Sequence, residues 1–246
     1  MTRFLKQYGI IAVVALGILS SCRDEPTNTP DVNFDRKAML QNIADNIIVT
    51  EYITFKTRVL ELDAAINDFT LAPNVAALQQ LRSSFKTAYL AWQRVSAFEI
   101  GHSADLALRA NVNTFPTDVT AITANINSGN YNLGTASNLK AKGFPALDYL
   151  LYGAGTEDEV LKLYTTDVDA AKRTNYLKAI SNDLKTHAVA AADSWAGNYR
   201  NTFINNIGTD KGSSIGQLVN ELNFDWEIIK NPKIGIPLGV KSMGTP

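Results

Sequence analysis

Glu99 and His102 lie three residues apart at the close of an apolar-periodic segment that carries Trp92. On a single helical turn that spacing lets a carboxylate and an imidazole meet the same ion, provided the helix runs on through Gly101. With Asp148 brought near by the fold, the three groups would make an oxygen-rich site with one nitrogen, of the kind that suits iron or another divalent first-row metal. The competing reading ends the helix at Gly101, turns His102 to solvent and leaves Glu99 to cap or to pair with a neighbour such as Arg109. A second polar cluster follows at Arg109, Asn111 and Asn113, then Thr117 and Asp118, around a stretch where helical periodicity is lost. Loops held on a rigid scaffold favour binding groups, but the same residue types also form turns and caps.

Several chemistries are poorly served. A zinc peptidase normally draws on two or three histidines or cysteines, as in His-Glu-x-x-His on one helix. This chain has only His102 and His187, far apart, and a single cysteine, Cys22, which leaves no disulfide or paired-thiolate site within it. No Gly-x-Ser-x-Gly elbow marks a serine nucleophile. The acidic run Glu157-Asp158-Glu159 lacks the alternating ligands of a calcium loop and reads as the first turn of a helix, where negative charge favours the dipole.

The elements that must position these groups read as helices throughout. Leu40, Ile43, Ile47, Phe55, Val59, Leu62, Ile66 and Phe69 recur at helical spacing without Gly or Pro between them. Pro73-Asn74 breaks that helix and starts another through Val75, Leu78, Leu81, Phe85, Tyr89, Trp92 and Val95. The second must fold back on the first to bury both stripes, giving an antiparallel pair. Asp118 caps a short helix that ends at Gly129. Residues 170–207 read as a long helix interrupted at Gly197, and Ser213-Ser214 opens a last one through Ile215, Leu218, Leu222, Trp226 and Ile229, stopped by Asn231-Pro232. Residues 233–246 read as a loop against the bundle. The fold class is all-α, an antiparallel helical bundle over residues 34–246.

Between these helices stands Gly143-Phe144-Pro145-Ala146-Leu147-Asp148-Tyr149-Leu150-Leu151-Tyr152-Gly153. It resembles the signature of the imelysin family, Gly-x-His-x-x-Glu followed by Tyr-Leu-Leu-aromatic-Gly. Gly143 and the tail through Gly153 match, whereas Pro145 stands in place of the histidine and Asp148 in place of the glutamate. Proline offers no side-chain donor or acceptor, so the His/Glu pair cannot form; its ring suits the first turn of a helix. Leu147, Leu150 and Leu151 would then pack inward. Tyr89-Leu90-Ala91-Trp92-Gln93, the turn at Gly101, the run from Arg109 to Asp118 and the run from Asn231 to Gly239 extend the resemblance in order and spacing.

The resemblance implies a double four-helix-bundle architecture and a class grouped with peptidases. It also implies a cell-envelope setting linked to iron acquisition, with an iron-uptake or envelope protein as partner. It places the Arg109 region near the signature helix, so that Arg109, Asn113, Asp118 and Asp148 would share a small pocket, or Arg109 and Asp148 would form a buried ion pair. Family members continue into further helices beyond the Asn231–Gly239 motif, which reads this chain as a short member or as incomplete at its C-terminus. The reading is a non-enzymatic binding protein, with a metallopeptidase and a docking lipoprotein without a small ligand as alternatives.

The N-terminus carries the address. Arg3 and Lys6, the apolar run Ile10–Leu19 and Ser20-Ser21-Cys22 make a secretory signal, too short for the roughly 20 residues of a membrane span. Leu19-Ser20-Ser21-Cys22 resembles a lipobox, in which Cys22 is acylated and becomes the mature N-terminus, so the membrane is reached through an N-terminal lipid. Arg23-Asp24-Glu25 resembles a charged export tag, which implies the outer membrane of a Gram-negative bacterium, facing the periplasm or the cell surface. Residues 23–33 are too polar to pack and read as a tether. Removing residues 1–22 takes away two bases and no acid, moving the net charge from −1 to −3. A charge this mild points to no nucleic-acid partner. Replacing Cys22 with Ala is expected to move the protein from the membrane to the soluble fraction on cell fractionation; retention by the membrane would refute the lipid anchor.

Overall fold

The computed structural model describes residues 34–241. The signal region 1–22 with Cys22, the tether 23–33 and the final five residues lie outside the described residues. Among the latter all regular structure is helical, and no helix is long and apolar enough to cross a membrane.

Helix α1 (Arg36–Ile43) runs through a π turn (Ala44–Ile48) into α2 (Val49–Leu71). The wider turn carries the buried positions at a spacing of four, Leu40, Ala44, Ile48 and Tyr52, before the spacing alternates three and four through Phe55, Val59, Leu62, Ile66 and Phe69. Ile47, expected inward on a uniform α period, is exposed for this reason, and Ile48 takes its place. Asn74 caps α3 (Val75–Val95) by accepting from Ala77 N–H at 2.9 Å. Its buried residues Leu78, Leu81, Phe85, Ala88, Trp92 and Val95 repeat the same three-four alternation, the seam spacing of helices that pack nearly parallel or antiparallel. Helix α2 lies between α3 and a later long helix, α9 (Ala170–Ser194). The expected bundle is therefore present, and its buried residues form one continuous core.

Short elements cover that layer: α4 (His102–Asp105), α5 (Leu108–Val112) and α6 (Val119–Ser128), the last capped by Asp118 and closed by Gly129. A 3-10 turn (Ala136–Ala141) then leads into the signature helix α7 (Gly143–Tyr152). Gly143 has φ +69°, and a Cβ there would stand 2.3 Å from the Val112 carbonyl oxygen, so only glycine lets α7 begin against the end of α5. Phe144 follows as a wedge among Phe55, Phe85 and Tyr89. Pro145 occupies the first turn, and Leu147, Leu150 and Leu151 are buried, as the sequence implies. Helix α8 (Glu157–Thr165) opens with a complete capping box between Thr156 and Glu159.

After α9 a second π turn (Trp195–Tyr199) carries the interruption at Gly197, and α10 (Arg200–Asn205) follows. Helix α11 (Ser214–Ile228) is capped by Ser213, but two expectations fail there. Leu218 is buried while Leu222 and Trp226 are exposed, because the principal described neighbour of α11 is the turn that follows it. Asn231-Pro232 does not stop the chain's helical course either: a π turn (Ile229–Gly235) contains Pro232, since the wider turn dispenses with the hydrogen bond that proline lacks. Beyond it Leu238 and Val240 are exposed rather than packed on the bundle.

One charge is sealed into this layer. Lys142, 1% exposed, immediately precedes α7, and its ammonium meets Asp183 of α9 at 3.1 Å. The Nδ1 atom of His187 stands 2.8 Å from the Asp183 carbonyl oxygen, one turn along. Lys142→Ala leaves Asp183 without its cation and is expected to cost roughly 3 kcal/mol of stability in urea denaturation. Lys142→Met combined with Asp183→Leu should recover most of that loss, because it removes both charges; an equal loss in the double variant would place the cost elsewhere.

Candidate functional site

Helix α3 ends at Val95, and the chain passes through an irregular stretch to Gly101, whose φ of +62° and closeness to the Tyr199 ring require glycine. Glu99 and His102 therefore do not share a helix. Glu99 turns inward and His102 outward, 45% exposed, with Asp105 as its nearest acid at 3.8 Å. Arg109, in the first turn of α5, is the hub of the region. Its backbone N–H donates to Glu99 Oε1 at 2.9 Å, and its guanidinium donates to Glu99 Oε2, to the Ser96 carbonyl at 2.6 Å and to Glu221 Oε2 of α11 at 3.0 Å. The same guanidinium lies 4.9 Å from the centre of the Phe224 ring. Burial pushes the Glu99 carboxyl above the usual range, opposed by the hydrogen bonds and charge of Arg109 and reinforced by Glu221.

Above this hub opens a hollow of about 780 Å³. Tyr89 and Trp92 of α3, Ala110 and Asn113 at α5, Phe115, and Phe224 and Ile228 of α11 give it mostly apolar walls. Three polar atoms on its lining residues have no hydrogen-bond partner among the described residues: the Trp92 indole N–H, the Arg109 Nε–H and the Asn113 side-chain oxygen. All three atoms are buried with almost no accessible surface, so they lie within the walls and not on the open face of the hollow.

Asp148 stands elsewhere. It lines a second hollow of about 510 Å³ together with Phe85, Tyr89, Phe115, Thr117, Phe144, Pro145, Tyr149, Tyr152 and Gly153. Pro145, Asp148, Tyr149 and Tyr152 form the outward stripe of α7, opposite its leucines. Although solvent reaches the Asp148 carboxylate, the surrounding rings displace enough water to push it above the usual carboxylate range. The two hollows share Tyr89 and Phe115 in their linings.

The placements expected from sequence are thus partly revised. Arg109 and Asn113 do line one hollow, but Asp148 lines the other, so neither a shared Arg109–Asp148 pocket nor an ion pair between them is formed. Asp118 spends its side chain on the α6 cap, accepting from Ala121 N–H at 2.9 Å. Glu99, His102 and Asp148 do not converge, and among the described residues no group of three or more His, Cys, Asp and Glu side chains could hold a metal ion. The physical reason is that α3 already ends at Val95, so Glu99 and His102 fall on opposite sides of the turn at Gly101 and not on one helix. Glu221, Phe224 and Phe115 escape a reading of the sequence. Glu221 meets Arg109 across 112 positions with no local signal, whereas Phe115, 75% exposed in a polar stretch before a proline, was detectable as an aromatic out of place.

The fold and its hollows define an all-helical bundle with a ligand-sized opening beside the α3–α5 junction. The imelysin family model matches residues 48–246, and the chain belongs to the imelysin family. Among solved structures it resembles a protein of Parabacteroides distasonis described as an iron-regulated protein A precursor, at 16% identity and a TM-score of 0.69, over 83% of this chain and 61% of that one. It also resembles an imelysin-like protein from Psychrobacter arcticum, at 20% identity and a TM-score of 0.63, over 86% of this chain and 65% of that one. The chain thus spans less than two thirds of the length of either structure, and at these identities the likeness establishes the fold alone. No curated protein matches it.

Arg109→Met strips two half-buried carboxylates of their cation and is expected to destabilise the protein by about 2–4 kcal/mol, whereas Glu99→Gln keeps an acceptor for the Arg109 N–H and should cost less than half as much. A double-mutant cycle by chemical denaturation checks this, with a coupling above about 1 kcal/mol expected. Additive losses would show that the two side chains act independently.

Proposed function

We propose that this chain is a lipid-anchored protein of the cell envelope whose larger hollow binds an organic ligand, without peptide-bond cleavage, in the service of iron acquisition. The observation that carries the binding role is the hollow of about 780 Å³ itself, mostly apolar, with Trp92, Arg109 and Asn113 among its lining residues. An arginine already neutralised by Glu99 and Glu221 suits an uncharged ligand better than an anion. The lining carries Glu99, Glu221 and Asp225 against Arg109 and Lys233, a slight negative excess that disfavours an acidic ligand.

The envelope location rests on the signal-like N-terminus and the lipobox-like Cys22, and the outer membrane on the charged residues that follow. The link to iron is carried over from the description of the Parabacteroides distasonis protein as iron-regulated. A cleavage role finds little support in the residues: Pro145 replaces the motif histidine, and the two histidines lie in different surroundings, His102 beside Asp105 and His187 beside Asp183.

Deletion of the gene is expected to slow growth of the host under iron limitation and not under iron repletion. The wild-type chain should restore growth, and an Ala110→Trp variant, which fills the larger hollow, should not. Equal growth of the deletion strain in both media would sink the iron link, and rescue by the filled variant would move the function off this hollow. Chelator-sensitive degradation of protein substrates by the purified chain would replace the binding role with a peptidase.

A further inference from the structure

The smaller hollow carries a chemistry that the larger one does not share. Six of the residues that line it are aromatic, and Asp148 is the one carboxylate among them. Several partly buried carboxylates elsewhere have a cation: Asp63 has Lys185, Asp183 has Lys142, and Glu99 and Glu221 have Arg109, whereas Asp148 is more exposed than these. Asp148 has no hydrogen-bond or ion-pair partner among the described residues, although α7 holds it against the aromatic wall. We infer that this hollow binds a small organic ammonium ion, held by the Asp148 carboxylate and by the aromatic rings of Tyr89, Phe115 and Tyr149.

A single carboxylate neutralises one charge and supplies too few oxygens for a hard metal ion, which demands six or more. Aromatic rings attract a cation through their quadrupole and favour one with a weak hydration shell, which an alkylated ammonium has and a metal ion lacks. The protein already uses this chemistry on the same wall. The guanidinium of Arg82 lies 4.5 Å from the centre of the Tyr152 ring, with Glu157 at 3.1 Å answering its charge. Tyr152 is thereby occupied on one face, whereas Tyr89, Tyr149 and Phe115 carry no such cation among the described residues. Phe85 and Phe144 lie behind, buried, and fix the position of Tyr89 through ring contacts at 6.0 and 5.1 Å. A hollow of about 510 Å³ accommodates an ammonium with an organic substituent, within the usual range of small-molecule sites. The inference uses none of the Arg109 hub, and Asp148 and Tyr149, which line the smaller hollow and not the larger, separate its test from that of the iron reading, although Tyr89 and Phe115 line both.

The test is an NMR titration of the purified chain with choline chloride and, in parallel, with 3,3-dimethylbutan-1-ol, its uncharged isostere. Choline is expected to shift resonances of the smaller hollow and to bind at least about tenfold more tightly than the alcohol, a difference of about 1.4 kcal/mol. Asp148→Asn, a change at an accessible position, should erase the preference for the cation. Tyr149→Phe should retain it, and Tyr149→Leu should weaken choline by roughly three- to tenfold, because the ring rather than the hydroxyl carries the attraction. Absence of shifts with choline, equal binding of the two probes, or an unchanged preference in Asp148→Asn would each overturn the proposal.

Discussion

The start of α7 against the end of α5 is the contact on which both hollows depend. Gly143 can stand over the Val112 carbonyl only because it has no side chain and tolerates a positive φ, and nothing bulkier could enter without moving a backbone. Once it is seated, Phe144 falls among Phe55, Phe85 and Tyr89 and closes the aromatic core, while Lys142 reaches Asp183 on the far side. These neighbours in sequence thus tie α7 to α2, α3, α5 and α9 at once. The glycine of the family signature is in this sense a packing residue, and its neighbours inherit their positions from it.

The polar side of the larger hollow is organised by a different economy. Arg109 meets two carboxylates from segments far apart in sequence, a backbone carbonyl and an aromatic ring, so its position is over-determined. Partly buried ion pairs contribute less net stability than their short distances suggest, because desolvation offsets much of the attraction. What they supply is a fixed register between the loop after α3 and α11. The apolar walls can remain open above this hub because its charges satisfy one another beneath them.

The two departures from the family signature fall on one stripe of α7. Pro145 and Asp148 both line the smaller hollow, so the loss of an imidazole and the shortening of a carboxylate change the chemistry of a single place. Proline at the first turn leaves the helix intact, since the N–H it lacks has no partner there in any case. The scaffold of the signature is retained and its metal-compatible pair is not, which leaves an aromatic hollow with one acid. Retention of a fold with replacement of its site chemistry is the ordinary way in which one architecture comes to host different functions.

Much of the fold is legible in the sequence because helices declare themselves locally. The apolar period of α2 and α3, the caps at Asn74, Asp118 and Ser213, the Gly129 stop and the inward leucines of α7 all follow from residues within a few positions of one another. The same local logic misplaces Ile47 and the region of Pro232, since a π turn changes the period without an obvious mark in residue type. It also carries the apolar stripe of α11 inward past Leu218, where the described neighbours no longer cover it. The site is legible only in part. Arg109, Asn113 and Asp148 stand out as polar residues near the signature, but which hollow each one lines is not a local property. The pairing of Glu99 with Arg109, ten positions away, is one of the readings the sequence offers, whereas tertiary structure alone brings Glu221 to Arg109 and separates Asp148 from them, because those contacts depend on the relative placement of helices brought together by core burial. Local periodicity sets which face of a helix is apolar; only packing decides which polar groups from distant helices meet.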